Sequence, residues 1–405
     1  MTATLLLAPE DVAPGSPTRE TFLLGLPLVR RAALAAARAG FDRVYVLAGE
    51  PGGAPSRATL EGLLEGTGAR VVSGEAVDLP AGRIVLLPDR IAASPAGLRS
   101  VRETPVEPER VHRLGSGAIV ETRNPAPLAR ALAGASRLSS VLSDWACTLP
   151  ASVTPAAVPP PLEVRTDAEL AEAEDRLLHG LVKKQDGLLT RLISRKISLA
   201  ATRRLARTRI TPNGMTLICA ALGLLGAWSF ASPAPTRQLA GGVLFLLHSI
   251  LDGCDGELAR LKFQESRLGG VLDFWCDNLV HVAVFSAFAI AWTTAAGESW
   301  PLLLGVLAVA STLLSAGFIY SYAMRPHKGG GPLLTTVSPS HQSRLTGVLD
   351  ALTRRDFIYF VMVLALFGKA YWFLAAVAVG TPVFFAALLV MAHGAGAARR
   401  TSPAQ

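Results

Sequence analysis

The sequence predicts an α/β domain followed by an all-α transmembrane domain of six helices. Two observations carry this: residues 1–160 alternate short apolar runs with amphipathic segments, and every long apolar stretch lies in the second half of the 405 residues. A third is the proline-rich stretch from Pro155 to Pro161, which marks the end of the first domain.

In the first half, Leu5 to Ala8, Val44 to Ala48 and Ile84 to Leu87 read as strands. Between them, Arg19 to Gly40 and Arg57 to Gly66 read as helices, the first ending at a glycine that can take the left-handed backbone of a helix terminus. Strands alternating with helices predict a largely parallel sheet.

In the second half, six apolar segments suit membrane crossing: about Met215 to Ser232, Leu239 to Leu258, Val271 to Trp292, Trp300 to Tyr322, Phe357 to Ala370, and Trp372 to His393. The fifth is short and runs almost directly into the sixth. Half of the residues are hydrophobic and 17% are charged, the balance of a membrane protein with a soluble part. No signal peptide is expected, since Thr2 to Pro9 lacks a basic region and is followed by Glu10 and Asp11. The expected organisation is an α/β domain over 1–160, a neck over 161–210, the membrane domain over 211–395 and a tail over 396–405.

The formal charge of +8 has one origin. From Lys183 to Arg209 there are nine Lys or Arg against Asp186 alone, so this neck accounts for the whole excess. Leu188, Leu189, Leu192, Ile193, Ile197 and Leu199 are interleaved with it, directly before the first span. That arrangement favours an amphipathic helix on anionic lipid over a nucleic-acid surface, with a solvated charged helix as the alternative. Basic loops alternate with poorly charged ones, which puts the neck, the loop with Lys262 and Arg267, and both termini on the cytoplasmic side of a plasma (inner) membrane. Cys147, Cys219, Cys254 and Cys276 have neither ligand-like nor disulfide spacing.

The chemistry concentrates between Leu251 and Asn278, where Asp252, Asp255, Asp273 and Asp277 fall at the ends of two apolar segments. An aspartate at the centre of a membrane helix costs about 2.5 to 3.5 kcal/mol on insertion scales, so four together require partners. Asp252 and Asp255 share one helix face, Asp273 and Asp277 another, with Gly269 and Gly270 between. Four carboxylates on facing helices suit Mg²⁺ or Mn²⁺, hard ions that prefer oxygen and keep room for substrate phosphate. Arg260 adds a cation, which completes the parts of a phosphoryl-transfer site.

The spacing Asp252, two residues, Asp255-Gly256, two residues, Ala259-Arg260, eight residues, Gly269, three residues, Asp273, three residues, Asp277 resembles the complete signature of the CDP-alcohol phosphotransferases. The resemblance implies transfer of a substituted phosphate from a CDP-alcohol to an acceptor alcohol, with release of CMP. It implies that Asp252, Asp255 and Asp273 hold two metals, Mg²⁺ or Mn²⁺, with Asp277 contributing to one and serving as general base. Gly256, Ala259 and Gly269 would leave room for the nucleotide, and Arg260 would bind phosphate. Thr211-Pro212-Asn213 and Thr216 also match the family, Asn213 near the nucleotide, although Thr211 and Pro212 equally make a sound helix start. Arg325, His327, Lys328 and Arg344 follow the fourth span, where they would either bind the acceptor's phosphate or simply follow the positive-inside rule. His281, four residues past Asp277, would either hydrogen-bond that carboxylate or, the favoured reading, be a buried histidine satisfied by a neighbour. Homodimerisation is expected from the resemblance alone.

A second resemblance covers the first domain. GLPLVRRAALAAARAGFDRVYVLAG followed by a strand ending at Pro88-Asp89 is similar to sugar-nucleotide nucleotidyltransferases of the GT-A-like kind. With the neck, EVRTDAELAEAEDRLLHGLVKKQDGLLTRLISRKIS, the whole resembles the bifunctional inositol-phosphate cytidylyltransferase and di-inositol-phosphate-phosphate synthases. The expected glycine-rich phosphate loop is missing, however: APEDVAPGSPTRETFLLGLP carries two separated glycines, three acids and no lysine. The domain is therefore expected to be catalytically degenerate, the alternative being an active cytidylyltransferase. The donor would be CDP-diacylglycerol or a soluble CDP-polyol such as CDP-inositol. A divalent metal-ion transporter would also place carboxylates in a membrane, but it leaves Gly256, Ala259, Arg260 and Gly269 unexplained.

Overall fold

The structure is a computed structural model that describes residues 2–10, 15–48, 56–72, 78–134, 137–146, 151–153, 158–181, 195–321 and 357–401. The chain divides into two compact units, residues 1–181 and 182–405.

The first unit opens with β1 (Thr2–Ala8), a hairpin of β2 (Phe22–Leu23) and β3 (Leu26–Pro27), α1 (Leu28–Ala39) and β4 (Arg43–Leu47). Then come α2 (Arg57–Leu64), β5 (Arg70–Val72), β6 (Gly82–Pro88), β7 (Ile91–Ala92), α3 (Pro95–Glu103), β8 (Val111–Leu114) and β9 (Gly117–Thr122). The unit continues through α4 (Ala126–Gly134), α5 (Leu138–Ala146), β10 (Ala151–Val153), β11 (Leu162–Glu163) and α6 (Asp167–His179). Its main sheet has the order β10-β8-β9-β6-β1-β4-β5, and β9 alone runs antiparallel to its neighbours. The largely parallel sheet is thus as expected. Leu6, Tyr45, Leu86 and Val120 from four adjacent strands pack with Leu128 and Leu132 of α4 into one core.

Two boundaries differ from the sequence reading. The helix expected from Arg19 begins only at Leu28, because Leu24 and Gly25 take left-handed backbone (φ 49° and 82°) and turn the chain into the β2–β3 hairpin. The α/β unit also runs past Pro161. β11 pairs with β7, Val164 N–H donates to Arg90 O at 2.8 Å, and Val164 and Ala173 share a core with Leu23 and Leu28. Thr166 starts α6 with a capping box to Glu169, a strong local stop and start within what reads as neck.

The second unit is helical. α7 (Arg195–Ala206), α8 (Pro212–Phe230), α9 (Pro235–Lys262), α10 (Arg267–Ala296), α11 (Trp300–Ile319), α12 (Phe357–Leu366) and α13 (Phe373–Thr401) are its described helices. Five are long and apolar enough to cross a membrane; α12, the weak fifth segment, is apolar but only 10 residues long. α8, α9 and α10 pack closely around Phe230, Phe245 and Phe288, with ring centroids of Phe230 and Phe288 4.8 Å apart. Gly241 leaves space for the Phe230 ring, since a Cβ there would lie 2.6 Å from it. Leu217, Leu225, Leu303, Val306, Phe360 and Val379 are exposed, as a lipid-facing surface requires.

Aromatic residues collect at one end of this bundle. Trp228 and Trp292 close α8 and α10, Trp300 opens α11, and Tyr371 and Trp372 sit between α12 and α13. Trp292 contacts Trp300 (4.9 Å) and Tyr371 (6.2 Å), Arg237 covers Trp228 (3.9 Å), and Lys369 lies 5.1 Å from Trp372. Amphipathic rings favour the membrane interface, so this belt marks one boundary. The four aspartates occupy the opposite ends of α9 and α10.

Candidate active site

Helix ends build the site. Thr211 caps α8 by accepting from Gly214 N–H (3.1 Å), α9 arrives at its C-terminal turns, and Ser266 caps α10 by accepting from Gly269 N–H (3.0 Å). The turn between α9 and α10 is tight, with Phe263 in left-handed backbone.

The carboxylates pair across α9 and α10. Asp252 and Asp277 approach one another together with His248, their ligand atoms all within 4.8 Å. Asp255 and Asp273 are close neighbours across the two helices, and Thr216 Oγ1 donates to Asp255 Oδ2 at 2.5 Å. Asp252 and Asp255 are buried, while Asp273 and Asp277 are partly open. Closely spaced carboxylates repel one another, so a divalent cation is the natural complement, and the donor set of oxygens with one imidazole fits it. The residues named for the nucleotide lie beside them. A Cβ on Gly269 would sit 2.9 Å from Asn213 Oδ1, so the absence of a side chain lets the starts of α8 and α10 meet. Arg260 folds back along α9 towards Gly256, where a Cβ would be 3.5 Å from Arg260 Nη1. His281 lies against Phe285 and Phe357. Arg325, His327, Lys328 and Arg344, together with the first half of the basic neck, lie outside the described residues.

Two residues escaped the sequence reading. His248 stands one helical turn before Asp252, a spacing that could have revealed it. Glu257, adjacent to Gly256, has no exposed surface and accepts from Arg195 Nη1 (2.5 Å), Ser198 Oγ (2.9 Å) and Thr202 Oγ1 (2.6 Å), all on α7. Ser198, Thr202 and Ala206 form the buried face of α7, leaving Lys196, Ile197 and Arg204 exposed on the other. Lys262 Nζ adds a second tie, donating to Thr208 O and Ile210 O at 2.9 Å each.

In the first unit, β1 has β4 on one side and β6 on the other, which makes the carboxyl ends of these strands a topological switch point where ligands ordinarily bind. Arg19 fills that place. It donates to Leu47 O (2.9 Å) and Ala48 O (2.8 Å), and its guanidinium lies 3.2 Å from Asp89 Oδ2 as an ion pair not aligned as a hydrogen bond. Burial pushes the Asp89 carboxyl up to about 6, against the pull of Arg19 and Arg90.

Residues 209–341 match the family described as CDP-alcohol phosphatidyltransferase. Among curated proteins, the bifunctional IPC transferase and DIPP synthase of Thermococcus kodakarensis is 35% identical over 130 residues, covering 32% of this chain and 29% of that one. The chain spans about a third of the length of each of four such bifunctional relatives (29%, 34%, 30% and 36%). The phosphatidylinositol phosphate synthase of Mycolicibacterium smegmatis is 30% identical over 221 residues, which cover 53% of this chain and 89% of that protein. Among solved structures, Mycobacterium tuberculosis phosphatidylinositol phosphate synthase with CDP-DAG bound covers 46% of this chain and 90% of its own at 21% identity and a TM-score of 0.31. A nucleotidyl transferase from Methanothermobacter covers 44% and 99% at 15% identity, also with a TM-score of 0.31. With its signature residues gathered at facing helix ends and a relative matched over most of that relative's length, the chain belongs to the CDP-alcohol phosphatidyltransferase family.

Proposed function

We propose that the protein is an integral membrane CDP-alcohol phosphotransferase that moves a substituted phosphate to an acceptor alcohol and releases CMP. The observation that carries this reading is the pairing of Asp252 with Asp277 and of Asp255 with Asp273 between α9 and α10. In this reading the four aspartates hold Mg²⁺ or Mn²⁺, which supplies charge neutralisation at the pyrophosphate. Asn213, Gly256, Ala259 and Gly269 line the nucleotide's position and Arg260 binds its phosphates. Asp277, one of the two partly open aspartates, takes the proton of the acceptor hydroxyl. The acceptor oxygen forms a bond to the phosphorus distal to cytidine, the bond from that phosphorus to the bridging oxygen breaks, and the electron pair leaves on CMP. Arg325, Lys328 and Arg344 are the candidates for an acceptor's phosphate.

The donor is CDP-diacylglycerol or a soluble CDP-polyol such as CDP-inositol, and the acceptor an alcohol or phosphorylated polyol. The names of the relatives divide on this choice: the bifunctional IPC transferase and DIPP synthases favour a soluble CDP-polyol, and the phosphatidylinositol phosphate synthase favours CDP-diacylglycerol. The site faces the cytoplasm from the plasma membrane, as the basic segments around it favour. Homodimerisation belongs to the same reading. The first unit has lost nucleotidyl transfer, because Asp89 spends its charge on Arg19 at the strand ends where a metal and triphosphate would need it.

The test is CMP release by purified protein from a panel of CDP-alcohols against polyol phosphates, with and without Mg²⁺ or Mn²⁺. Metal-dependent release with one donor and acceptor pair supports the reading; metal flux into liposomes without nucleotide turnover would replace it with a transporter.

A further inference from the structure

His248 is 5% exposed and has its ring held from three helices. Its Nδ1 lies 2.9 Å from Cys219 O on α8. A carbonyl only accepts, so Nδ1 carries a hydrogen and donates it to Cys219 O, which leaves Nε2 for a second partner. Phe245 stacks on the ring from α9, with centroids 5.9 Å apart and planes at 17°. Gly223 of α8 leaves the space: a Cβ there would lie 3.2 Å from His248 Cγ and 2.6 Å from Val280 Cγ1 of α10. A ring nitrogen of the imidazole so fixed lies within 4.8 Å of ligand oxygens on both Asp252 and Asp277.

A histidine that serves only to fill a core needs no carboxylates on its second nitrogen. An imidazole anchored through Nδ1–H to a backbone carbonyl, with a ring nitrogen within 4.8 Å of two carboxylates, has the anchoring and surroundings of a metal ligand. We propose that His248 is a nitrogen ligand, so that His248, Asp252 and Asp277 form a mixed nitrogen and oxygen position while Asp255 and Asp273 serve an all-oxygen one. This rests on the reading that the aspartates bind divalent metal. Its consequence is selectivity. Imidazole raises affinity for Mn²⁺, Co²⁺ and Zn²⁺ over Mg²⁺, so the two positions differ in the ion they prefer.

The experiment uses the purified full chain in detergent, with Mn²⁺ alone as probe and pulsed electron paramagnetic resonance as readout. The proposal expects nitrogen coupling to bound Mn²⁺ that changes to the ¹⁵N pattern when histidine is labelled. His248→Gln should abolish that coupling and weaken Mn²⁺ binding by about 10–100-fold, the usual effect of disturbing a metal's ligand shell. The labelled wild-type measurement stands even if the variant folds poorly. Stoichiometric Mn²⁺ with no nitrogen coupling, or coupling that survives in His248→Gln, overturns the proposal while leaving the carboxylate site intact. No Mn²⁺ binding at all, or binding unchanged in Asp252→Asn with Asp273→Asn, overturns the metal site itself.

Discussion

Glu257 and Arg195 form an ion pair at 2.5 Å in which the carboxylate has no exposed surface and the guanidinium side chain only 13%. The pair joins the basic helix α7 to α9 one residue beyond Gly256, and the hydroxyls of Ser198 and Thr202 complete the carboxylate's hydrogen bonds. A buried pair of this kind is a costly feature to break, since removing one partner leaves the other charged and desolvated. Glu257→Ala should therefore destabilise the membrane unit by about 3–5 kcal/mol. Thermal unfolding in detergent measures this, and Glu257→Ala combined with Arg195→Ala should lose less than the sum of the two single changes.

Thr216 is the residue through which α8 reaches the aspartates, and Thr216→Val keeps its shape while removing the hydroxyl bonded to Asp255. A hydrogen bond to a charged group is worth about 1.5–3 kcal/mol, so divalent-metal or donor affinity should fall by roughly one order of magnitude or more. Titration calorimetry with Mn²⁺, then with a CDP-alcohol, distinguishes the two.

Gly269 and Gly270 offer a paired comparison on one helix turn. A Cβ on Gly269 meets Asn213 Oδ1 at 2.9 Å and Ser266 Oγ at 3.0 Å, whereas Gly270 has nothing within 4 Å. Gly269→Ala should raise KM for the CDP-alcohol by displacing Asn213, and Gly270→Ala should leave it unchanged. Equal effects would show that space at Gly269 is not what matters.

The pH dependence of the first unit follows from Asp89. An aspartate ordinarily titrates near about 3.9, and burial holds Asp89 at about 6 in the fold. The folded state therefore binds the proton more tightly than the unfolded one. Its contribution is fully present below about pH 4 and is lost as pH rises through about 6. Asp89→Asn should flatten the stability profile of that unit across this window, as read by calorimetry at a series of pH values.

Much of this was legible in the sequence because the signals were local. The parallel sheet followed from apolar runs such as Ile84 to Leu87 and the end of α1 from Gly40; helical spacing put two aspartates on each helix, while their pairing across α9 and α10 came only with the fold. The β2–β3 hairpin was hidden because Arg19 to Leu26 has no strong breaker except Gly25, and its shape depends on Arg19 reaching Leu47 O and Ala48 O. The first unit's extension to Leu181 was masked by prolines, which interrupt secondary structure without ending a domain. The i, i+4 spacing from Asp252 offered a signal for His248, but its anchoring, like that of Glu257, was hidden for a related reason. Each acts through a partner far along the chain, Cys219 and Arg195, and no spacing within one helix reports such contacts.

The most direct test compares wild type with Asp277→Asn for CMP release from a CDP-alcohol in the presence of acceptor and Mn²⁺. If Asp277 is the base, the variant should fold and still bind the CDP-alcohol, yet release CMP at least about 100-fold more slowly, the scale of general-base catalysis. CMP release at the wild-type rate would contradict the assignment of the aspartate cluster as the transfer site.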